Sequence, residues 1–516
     1  MSPLLHQPIS TLDMIVQGLT RDTERLVVTG AAGEQVTAQG LADEITRYQQ
    51  VLEALEPRPK RAAILSRNRI EVLYASNALG FAGIVSTALH PIGALDDYVY
   101  VIQDAEIDTL LFDPTYYSDT AATLQKRAPG LKHLLALGKT EVGIDLAERA
   151  VAMAPRKLIA PAADPEALFR IAYSGGTTGK PKGIMTTNRM AATSALIQLT
   201  SWEWPKEIRH LICAPLSHSG AAVLSAILTK GGSLVVLPGF DPVSTMEAIE
   251  RHRITSVLMV PTMILAMIDH PRFGEFDLSS LEVVFYGASA FPAARLRDAI
   301  GKMGKVFFQF YGQSEAPMSV TLMRRDEHDP ADLLRLASCG RPSPLVRVEL
   351  LDDDCNPVAD GMPGEICVRG PLVMGGYLNK PEETAKAFEG DWLHTGDVAI
   401  KGPDGFLRIV DRKKDMIVTG GFNVFAREVE DVLTEYPGVR QAAVIGVPDE
   451  KWGEAVKGVV VLEPGVTVSA EALIASVREK KGAVQAPKTI DFVDALPLSP
   501  VGKPDKKALR ALYADA

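Results

Sequence analysis

The chain has 516 residues, 47% of them hydrophobic and 23% charged, which excludes a disordered, collagenous or disulfide-scaffold protein. At about 150 residues per domain there is length for roughly three units, and core size is not limiting. The 54 basic and 64 acidic side chains leave a net charge of −10 without long blocks of either sign, so nucleic acid is not an expected partner.

Residues 1–19 have no basic leader, and His6, Pro8, Asp13 and Gln17 break their apolar stretches, so no signal peptide is expected. The first 160 residues carry no strong motif. Residues 168–173 then read as an apolar strand entering Tyr173-Ser174-Gly175-Gly176-Thr177-Thr178-Gly179-Lys180-Pro181-Lys182-Gly183. Its glycines let backbone N–H groups approach an anion, its hydroxyls add donors, and Lys180 and Lys182 add charge, so phosphate is the natural ligand. The loop is not the P-loop of kinases and NTPases. Three residues, not four, separate Gly175 from Gly179, and Pro181 stands where Ser or Thr would hold Mg²⁺. Another element must supply the metal ligand.

Ala214-Pro215-Leu216-Ser217-His218-Ser219-Gly220 sets a lone histidine in apolar surroundings, and Cys213 precedes it. Cys213, Cys339, Cys355 and Cys367 are too widely spaced for a Cys-x-x-Cys pair, which fits a reducing, cytoplasmic interior. Short β-branched runs at 233–237, 256–260 and 281–285 alternate with helical patterns such as 242–252, the order of a parallel α/β fold. The longest apolar run, 257–268, contains Pro261 and Thr262 and is shorter than the roughly 18 residues that span a bilayer. Small residues in Tyr286-Gly287-Ala288-Ser289 leave room for a flat base or an acyl chain.

Beyond residue 340, strands at 347–351, 365–369 and 406–410 between Gly, Pro and Asp turns read as a small β unit. Asp411-Arg412-Lys413-Lys414-Asp415 reads as a solvated turn and a domain boundary. After it, Val429, Val432, Leu433 and Tyr436 fall at helical spacing, and 442–447 and 459–462 read as strands. Ser469 caps a helix that ends in Arg478, Lys480 and Lys481 before Gly482.

The loop at 173–183 resembles the signature of the acyl-adenylate-forming superfamily: acyl-CoA synthetases, nonribosomal peptide adenylation domains and luciferases. Further motifs of that family recur in order to residue 510, over about two thirds of the chain. The resemblance implies a multi-layer α/β domain over 1–410, with two α/β subdomains and the small β unit. It also implies a hinge at 411–415 and a small mobile α+β domain over 416–516. Ser174, Gly175, Gly176, Thr177, Thr178, Gly179, Lys180 and Lys182 would hold the phosphates. Tyr311-Gly312-Gln313-Ser314-Glu315 resembles the family's Tyr-Gly-x-Thr-Glu, in which the tyrosine packs on adenine and the glutamate holds Mg²⁺. Glu315, helped by Thr178, is the implied metal ligand, since a hard carboxylate oxygen suits Mg²⁺. Gly287, Ala288 and Ser289 would border the adenine, and His218, Gly287 and Gly312 the acyl pocket.

By the same resemblance Asp397, in Trp392-Leu393-His394-Thr395-Gly396-Asp397, accepts from ribose hydroxyls. Arg412 is a second ribose contact and Lys414 the hinge pivot. Gly420 and Gly421 line the thiol's approach; Ala426 replaces a proline common there. Lys503, in Pro497-Leu498-Ser499-Pro500-Val501-Gly502-Lys503-Pro504, is the implied catalytic lysine at the α-phosphate, with Glu315 and His218 completing the catalytic set. Lys506, Lys507 and Arg510 are expected to be solvated.

A carboxylate is a poor electrophile until it is esterified to a good leaving group. The expected reaction therefore activates a carboxylic acid with ATP, as acyl-AMP, and passes the acyl group to a thiol, with Mg²⁺ as cofactor. The chain stops soon after Lys503, with no carrier domain, and the His218 segment lacks an aspartate to pair a substrate amine, so CoA is the expected thiol. Aryl, branched and fatty acids all stay open, as does a homodimer. A ligase that loads a separate acyl-carrier protein is the alternative enzyme, and a silent nucleotide-binding protein the alternative from another class.

Overall fold

Short apolar strands joined by amphipathic helices build two open sheets in the first of two units. The computed structural model describes residues 8–174, 180–217, 219–419, 422–449, 452–497 and 504–513. The first unit takes residues up to Ser174 with Pro181–Arg347 and Val368–Lys386; the second takes Gly175–Lys180, Val348–Cys367 and Ala387–Ala516.

The nine-stranded sheet runs, in spatial order, Arg341–Pro342, Ala316–Met323, Phe307–Gln313, Val283–Tyr286, Ser256–Met259, Arg209–Ile212, Ser233–Val236, Leu26–Thr29 and Gln35–Thr37. The strands from Phe307–Gln313 to Leu26–Thr29 are mutually parallel. Strands such as Val283–Tyr286 and Ser256–Met259 are buried at every position, as a parallel sheet covered on both faces requires. The helix expected at 242–252 is Pro242–Arg251; Asp241 caps it by accepting from Ser244 N–H, and Pro242 opens it. The longest apolar run divides at Pro261 into a strand and the helix Pro261–Ile268. No helix among the described residues is long and apolar enough to cross a membrane.

The second sheet comes mostly from the residues without motifs. Its order is Ile144–Asp145, His133–Ala136, Thr109–Phe112, Arg61–Leu65, Val85–Ala88, Leu168–Ser174 and Lys182–Thr187, parallel except for the last pair.

The second unit contains a four-stranded sheet of Arg347–Leu351, Pro363–Arg369, Leu393–Lys401 and Leu407–Arg412, which is the expected small β unit. It also contains a five-stranded sheet built around Val439–Asp449 and Gly453–Leu462, both longer than the expected strands. Helix Ala426–Thr434 buries Val429, Val432 and Leu433. Ser469 caps Ala470–Lys481 by accepting from Ala472 N–H, and Gly482 follows at φ +89°. The charged run is solvated only in part: Arg412, Lys413 and Lys414 are exposed, but Asp411 is buried.

One expectation is corrected at the C-terminal end. Lys506 and Arg510 are not simply solvated: Lys506 Nζ lies 2.8 Å from Glu430 Oε1 and an Arg510 guanidinium nitrogen 3.1 Å from Asp415 Oδ1. The cause is packing. Helix Lys506–Leu512 buries Leu509 among Ala443, Ile445, Val459 and Val461, which carries its long cations over those carboxylates.

Candidate active site

Three expected segments, distant in sequence, follow parallel strands of one sheet. Residues 214–220 follow Arg209–Ile212, 287–289 follow Val283–Tyr286, and 311–315 close Phe307–Gln313. Ligands of open α/β sheets bind at the carboxyl ends of such strands. Close backbone approach explains the glycines. A Cβ on Gly287 would lie 2.2 Å from the Phe310 carbonyl oxygen, and one on Gly312 would lie 2.5 Å from both Ala316 O and Met318 N. Ala288 sits at φ +64°, a region that favours glycine. Ala288 is exposed and Ser289 half-buried. Just before Gly287, the Tyr286 hydroxyl donates to His328 Nε2 (2.9 Å), and His328 Nδ1–H donates to the Arg324 carbonyl (2.7 Å). Burial lowers the His328 pKa to about 4, so the ring stays a neutral acceptor near pH 7. Tyr311 and Gln313 are half-buried at the strand end, and Ser314 and Glu315 form the turn between the paired Gln313 and Ala316. Cys213 is fully buried and its thiol is pushed up to about 12 by burial, which suits packing and not nucleophilic chemistry.

The strand expected at 168–173 is Leu168–Ser174, and it pairs antiparallel with Lys182–Thr187, Ser174 opposite Lys182. Gly175, Gly176, Thr177, Thr178 and Gly179 lie outside the described residues, as do His218, Gly420, Gly421 and Lys503. Lys180 is exposed. Lys182 is ion-paired with Glu383, and its ammonium lies 4.9 Å from the centre of the Tyr377 ring. The hydrogen bond from Lys182 is the main reason the Glu383 carboxyl is held below its ordinary value.

Tyr377 is a site residue that the sequence does not announce. Its hydroxyl donates to Glu315 Oε1 at 2.9 Å, and Met374 N–H donates to the Glu315 carbonyl at 2.9 Å. The same short segment pairs with the Lys182–Thr187 strand through Ile184 and Tyr377 and through Met185 N–H to the Gly376 carbonyl. One segment thereby fixes the implied metal ligand and braces the strand that leaves the phosphate loop. Burial, reinforced by Glu315, pushes the Tyr377 phenol well up, so it remains a donor. Glu315 then presents a hard carboxylate, held at one oxygen and at its backbone, which fits a Mg²⁺ ion that takes one or two protein carboxylates. The Gly-Gly-Tyr run at 375–377 is the only local signal for it.

In the second unit the two expected ribose contacts lie side by side. Asp397 stands opposite Arg412 in the register of Leu393–Lys401 with Leu407–Arg412, and Arg412 Nε is 2.7 Å from Asp397 Oδ1. Asp397 is buried. Its N–H donates to Thr395 Oγ1 (3.1 Å), Thr395 Oγ1 donates to the Ile366 carbonyl (2.7 Å), and Gly396 takes the turn at φ +73°. The expected pivot Lys414 lies in the turn Lys413–Asp415, where partial desolvation of the otherwise exposed side chain lowers its ammonium from the ordinary value.

Glu365, also without a sequence signal, organises this turn. Its Oε1 accepts from Gly396 N–H (2.8 Å), and its Oε2 accepts from His394 Nδ1–H (3.0 Å) and Lys413 Nζ (3.1 Å). Lys413 also reaches Asp353 at 2.7 Å. Burial alone would raise the Glu365 carboxyl; the donors from His394, Gly396 and Lys413 outweigh it and hold the group below its ordinary 4.5. Burial likewise opposes the Lys413 charge, and hydrogen bonds to Asp353 and Glu365 outweigh it. Glu365, Cys367 and His394 offer ligand atoms within 4.8 Å of one another, the closest approach to a metal site among the described residues. The Lys413 ammonium already supplies the positive charge at that carboxylate.

A crowded glycine edge at the ends of parallel strands, a fixed carboxylate beside phosphate-loop strands, and an aspartate–arginine pair in a small β unit define a nucleotide-using α/β enzyme. Residues 17–378 match the AMP-binding enzyme family, and residues 428–503 match the AMP-binding enzyme C-terminal domain. A medium/long-chain-fatty-acid–CoA ligase of Mycobacterium tuberculosis is 46% identical over 99% of this chain and 91% of its own length. A feruloyl-CoA synthase of an Amycolatopsis species is 34% identical over 93% of this chain and 94% of its own. Among solved structures, the amide bond synthetase McbA of Marinactinospora thermotolerans aligns with a TM-score of 0.87 at 33% identity, over 98% of this chain and 100% of that one. ATP-bound MatB of Rhodopseudomonas palustris aligns with a TM-score of 0.88 at 28% identity, over 98% and 99%. The chain belongs to the AMP-binding enzyme family, the acyl-adenylate-forming superfamily, and within it to the acyl-CoA ligases.

Proposed function

We propose that the enzyme joins a medium- or long-chain fatty acid to CoA in two half-reactions. The carboxylate attacks the α-phosphate of ATP, giving acyl-AMP and pyrophosphate. The CoA sulfur then attacks the acyl carbon, loses its proton, and displaces AMP. The observation that carries the choice of acid is the 46% identity, over nearly the whole chain, to a fatty-acid–CoA ligase.

The residues divide the work. Gly287, Ala288, Ser289, Tyr311, Gly312, Gln313 and Ser314 receive the adenine. Asp397 accepts from the ribose hydroxyls, and Arg412 orients it from 2.7 Å. Ser174, Lys180, Lys182 and residues 175–179 contact the phosphates; for Lys182 this requires leaving Glu383. Glu315, with Thr178, would hold Mg²⁺, which when bound neutralises charge on the phosphates. His218, Gly287 and Gly312 border the acyl chain, and Gly420 and Gly421 the thiol's approach. Lys503 stabilises the charge that develops at the α-phosphate, an interaction stronger in the transition state than in the ground state. Residues 411–415 serve as the hinge about Lys414, so that Lys503 acts in the first half-reaction and withdraws for the second. A cytoplasmic location, where ATP and CoA are both at hand, and a homodimer belong to the same reading.

The test is CoA-dependent AMP release across a panel of straight-chain, branched and aryl acids, run with the wild type and Lys503→Ala. Medium and long straight-chain acids should give the highest kcat/KM. Lys503→Ala should abolish adenylation but spare thioester formation from supplied acyl-AMP. Preference for aryl acids, or equal loss of both halves, would refute the respective claims. The likeness to an amide bond synthetase favours one second reading, acyl transfer to an amine; AMP release that depends on an amine and ignores CoA would select it.

A further inference from the structure

Strand Arg61–Leu65 of the seven-stranded sheet leads into a short turn, Ser66 to Arg69, ahead of helix Ile70–Phe81. The turn is pinned on both sides of Asn68. The Arg67 guanidinium lies 3.9 Å from the centre of the Tyr116 ring. Arg69 pairs with Glu71 at 2.8 Å and with the buried Asp113, itself the cap of helix Pro114–Arg127, at 2.9 Å. Asn68, 8% exposed, is thus held with little freedom, and its side chain reaches the other sheet of the same unit.

There it makes two buried hydrogen bonds to one stretch of backbone. Asn68 Nδ2–H donates to the Ala214 carbonyl at 2.9 Å, and Leu216 N–H donates to Asn68 Oδ1 at 2.7 Å. The pair fixes the amide's orientation, because the flipped amide would face N–H to N–H and oxygen to oxygen. The Ala214 carbonyl is crowded from within its own segment as well. Gly220 N–H donates to the Pro215 carbonyl at 3.1 Å, and a Cβ on Gly220 would lie 2.6 Å from Ala214 O. A displacement of that one carbonyl therefore bears on Gly220.

We infer that Asn68 is a positioning residue for acid recognition: it seats Ala214, Pro215 and Leu216 at the end of strand Arg209–Ile212 and so sets the width of the acyl pocket. This rests on the proposal that the His218 segment borders the acyl chain. Asparagine is suited to the task, since it offers one donor and one acceptor at the spacing of a backbone pair. Aspartate keeps the acceptor for Leu216 but turns an oxygen toward the Ala214 carbonyl. Alanine leaves both backbone groups buried and unsatisfied.

The test measures kcat and KM for a series of straight-chain acids of increasing length, and KM for ATP, in the full-length wild type, Asn68→Asp, Asn68→Ala, Gly220→Ala and His218→Ala, each with a thermal melt. For Asn68→Asp the expected result is a rise in acid KM of about tenfold, the scale of one buried hydrogen bond lost, with ATP KM within about twofold of wild type. The preference among chain lengths should flatten. Gly220→Ala, which presses on the same carbonyl from the other side, should repeat the pattern even if an Asn68 variant fails to fold. His218→Ala should change the chain-length profile; an unchanged profile there overturns the reading of the pocket, and the inference with it. If His218→Ala changes the profile while the folded Asn68 variants and Gly220→Ala raise the KM of acid and ATP alike, or only lower the melting temperature, the Asn68 assignment is overturned by itself.

Discussion

The two units fix the residues proposed to meet the nucleotide by different physics. In the first, Gly287 and Gly312 are held by crowding, with neighbouring backbone atoms so close that no side chain fits. In the second, Asp397 and Arg412 are held by charge: a buried aspartate, its arginine, and the Glu365 network that grips Gly396 beside the aspartate and Lys413 beside the arginine. Crowding is indifferent to protonation and tolerates no added atom. A charge network tolerates changes of shape but depends on pH and on every partner remaining ionised. The first unit should therefore fail abruptly on a small addition, and the second gradually on loss of charge.

The sharpest way to break the contrast is Gly287→Ala. The added Cβ would meet a backbone carbonyl, which cannot swing aside like a side-chain tip. Overpacking of this kind costs about 1–3 kcal/mol or more, so ATP–pyrophosphate exchange should fall by about a hundredfold. Near-normal exchange would show that the strand edge is looser than its distances imply. Next comes Glu365→Gln, which leaves His394 and Lys413 facing a neutral acceptor. Losing a charged hydrogen-bond acceptor costs about 1.5–3 kcal/mol, and the KM for ATP should rise about tenfold to a hundredfold.

The same variant tests the acid limb. The Glu365 pKa is depressed in the fold, so its contribution to stability is complete above the unfolded value and is lost as pH falls through the folded one. Wild-type melting temperatures should therefore drop more steeply below pH 4.5 than those of Glu365→Gln. Parallel curves would remove Glu365 as the source. The smallest effect is expected from Tyr377→Phe, which deletes one hydroxyl from Glu315. A net hydrogen bond of about 1 kcal/mol predicts about a fivefold higher Mg²⁺ concentration for half-maximal adenylation. An unchanged Mg²⁺ dependence would mean that Glu315 needs no brace.

The sequence shows some of this clearly and some not at all. Alternation of β-branched runs with helical patterns is local, and the parallel layering follows from it. The runs of small residues near 287, 312 and 396 are legible because backbone conformation and close approach restrict residue type at the site itself. Asp397 and Arg412 are each visible as parts of short runs, but their 2.7 Å pairing depends on strand register. Asn68, Glu365 and Tyr377 are ordinary residues whose roles come from partners far along the chain; no local pattern marks Asn68 or Glu365, and only the short Gly-Gly-Tyr run marks Tyr377. The misreading of Lys506 and Arg510 has the same origin: a terminal cation reads as solvated unless Leu509 is known to be buried.

The interleaving of the two sheets matters for how the protein is made. Strand Leu26–Thr29 pairs with Ser233–Val236, whereas most of the residues between them build the other sheet. On the ribosome the early strand can pair on one edge with Gln35–Thr37, but its other edge must wait while roughly 200 further residues are translated, a separation that slows folding and leaves a sticky edge exposed. The seven-stranded sheet can begin to form meanwhile, so nascent chains should depend on chaperones most during the interval in which one sheet is assembling and the other still lacks its partners.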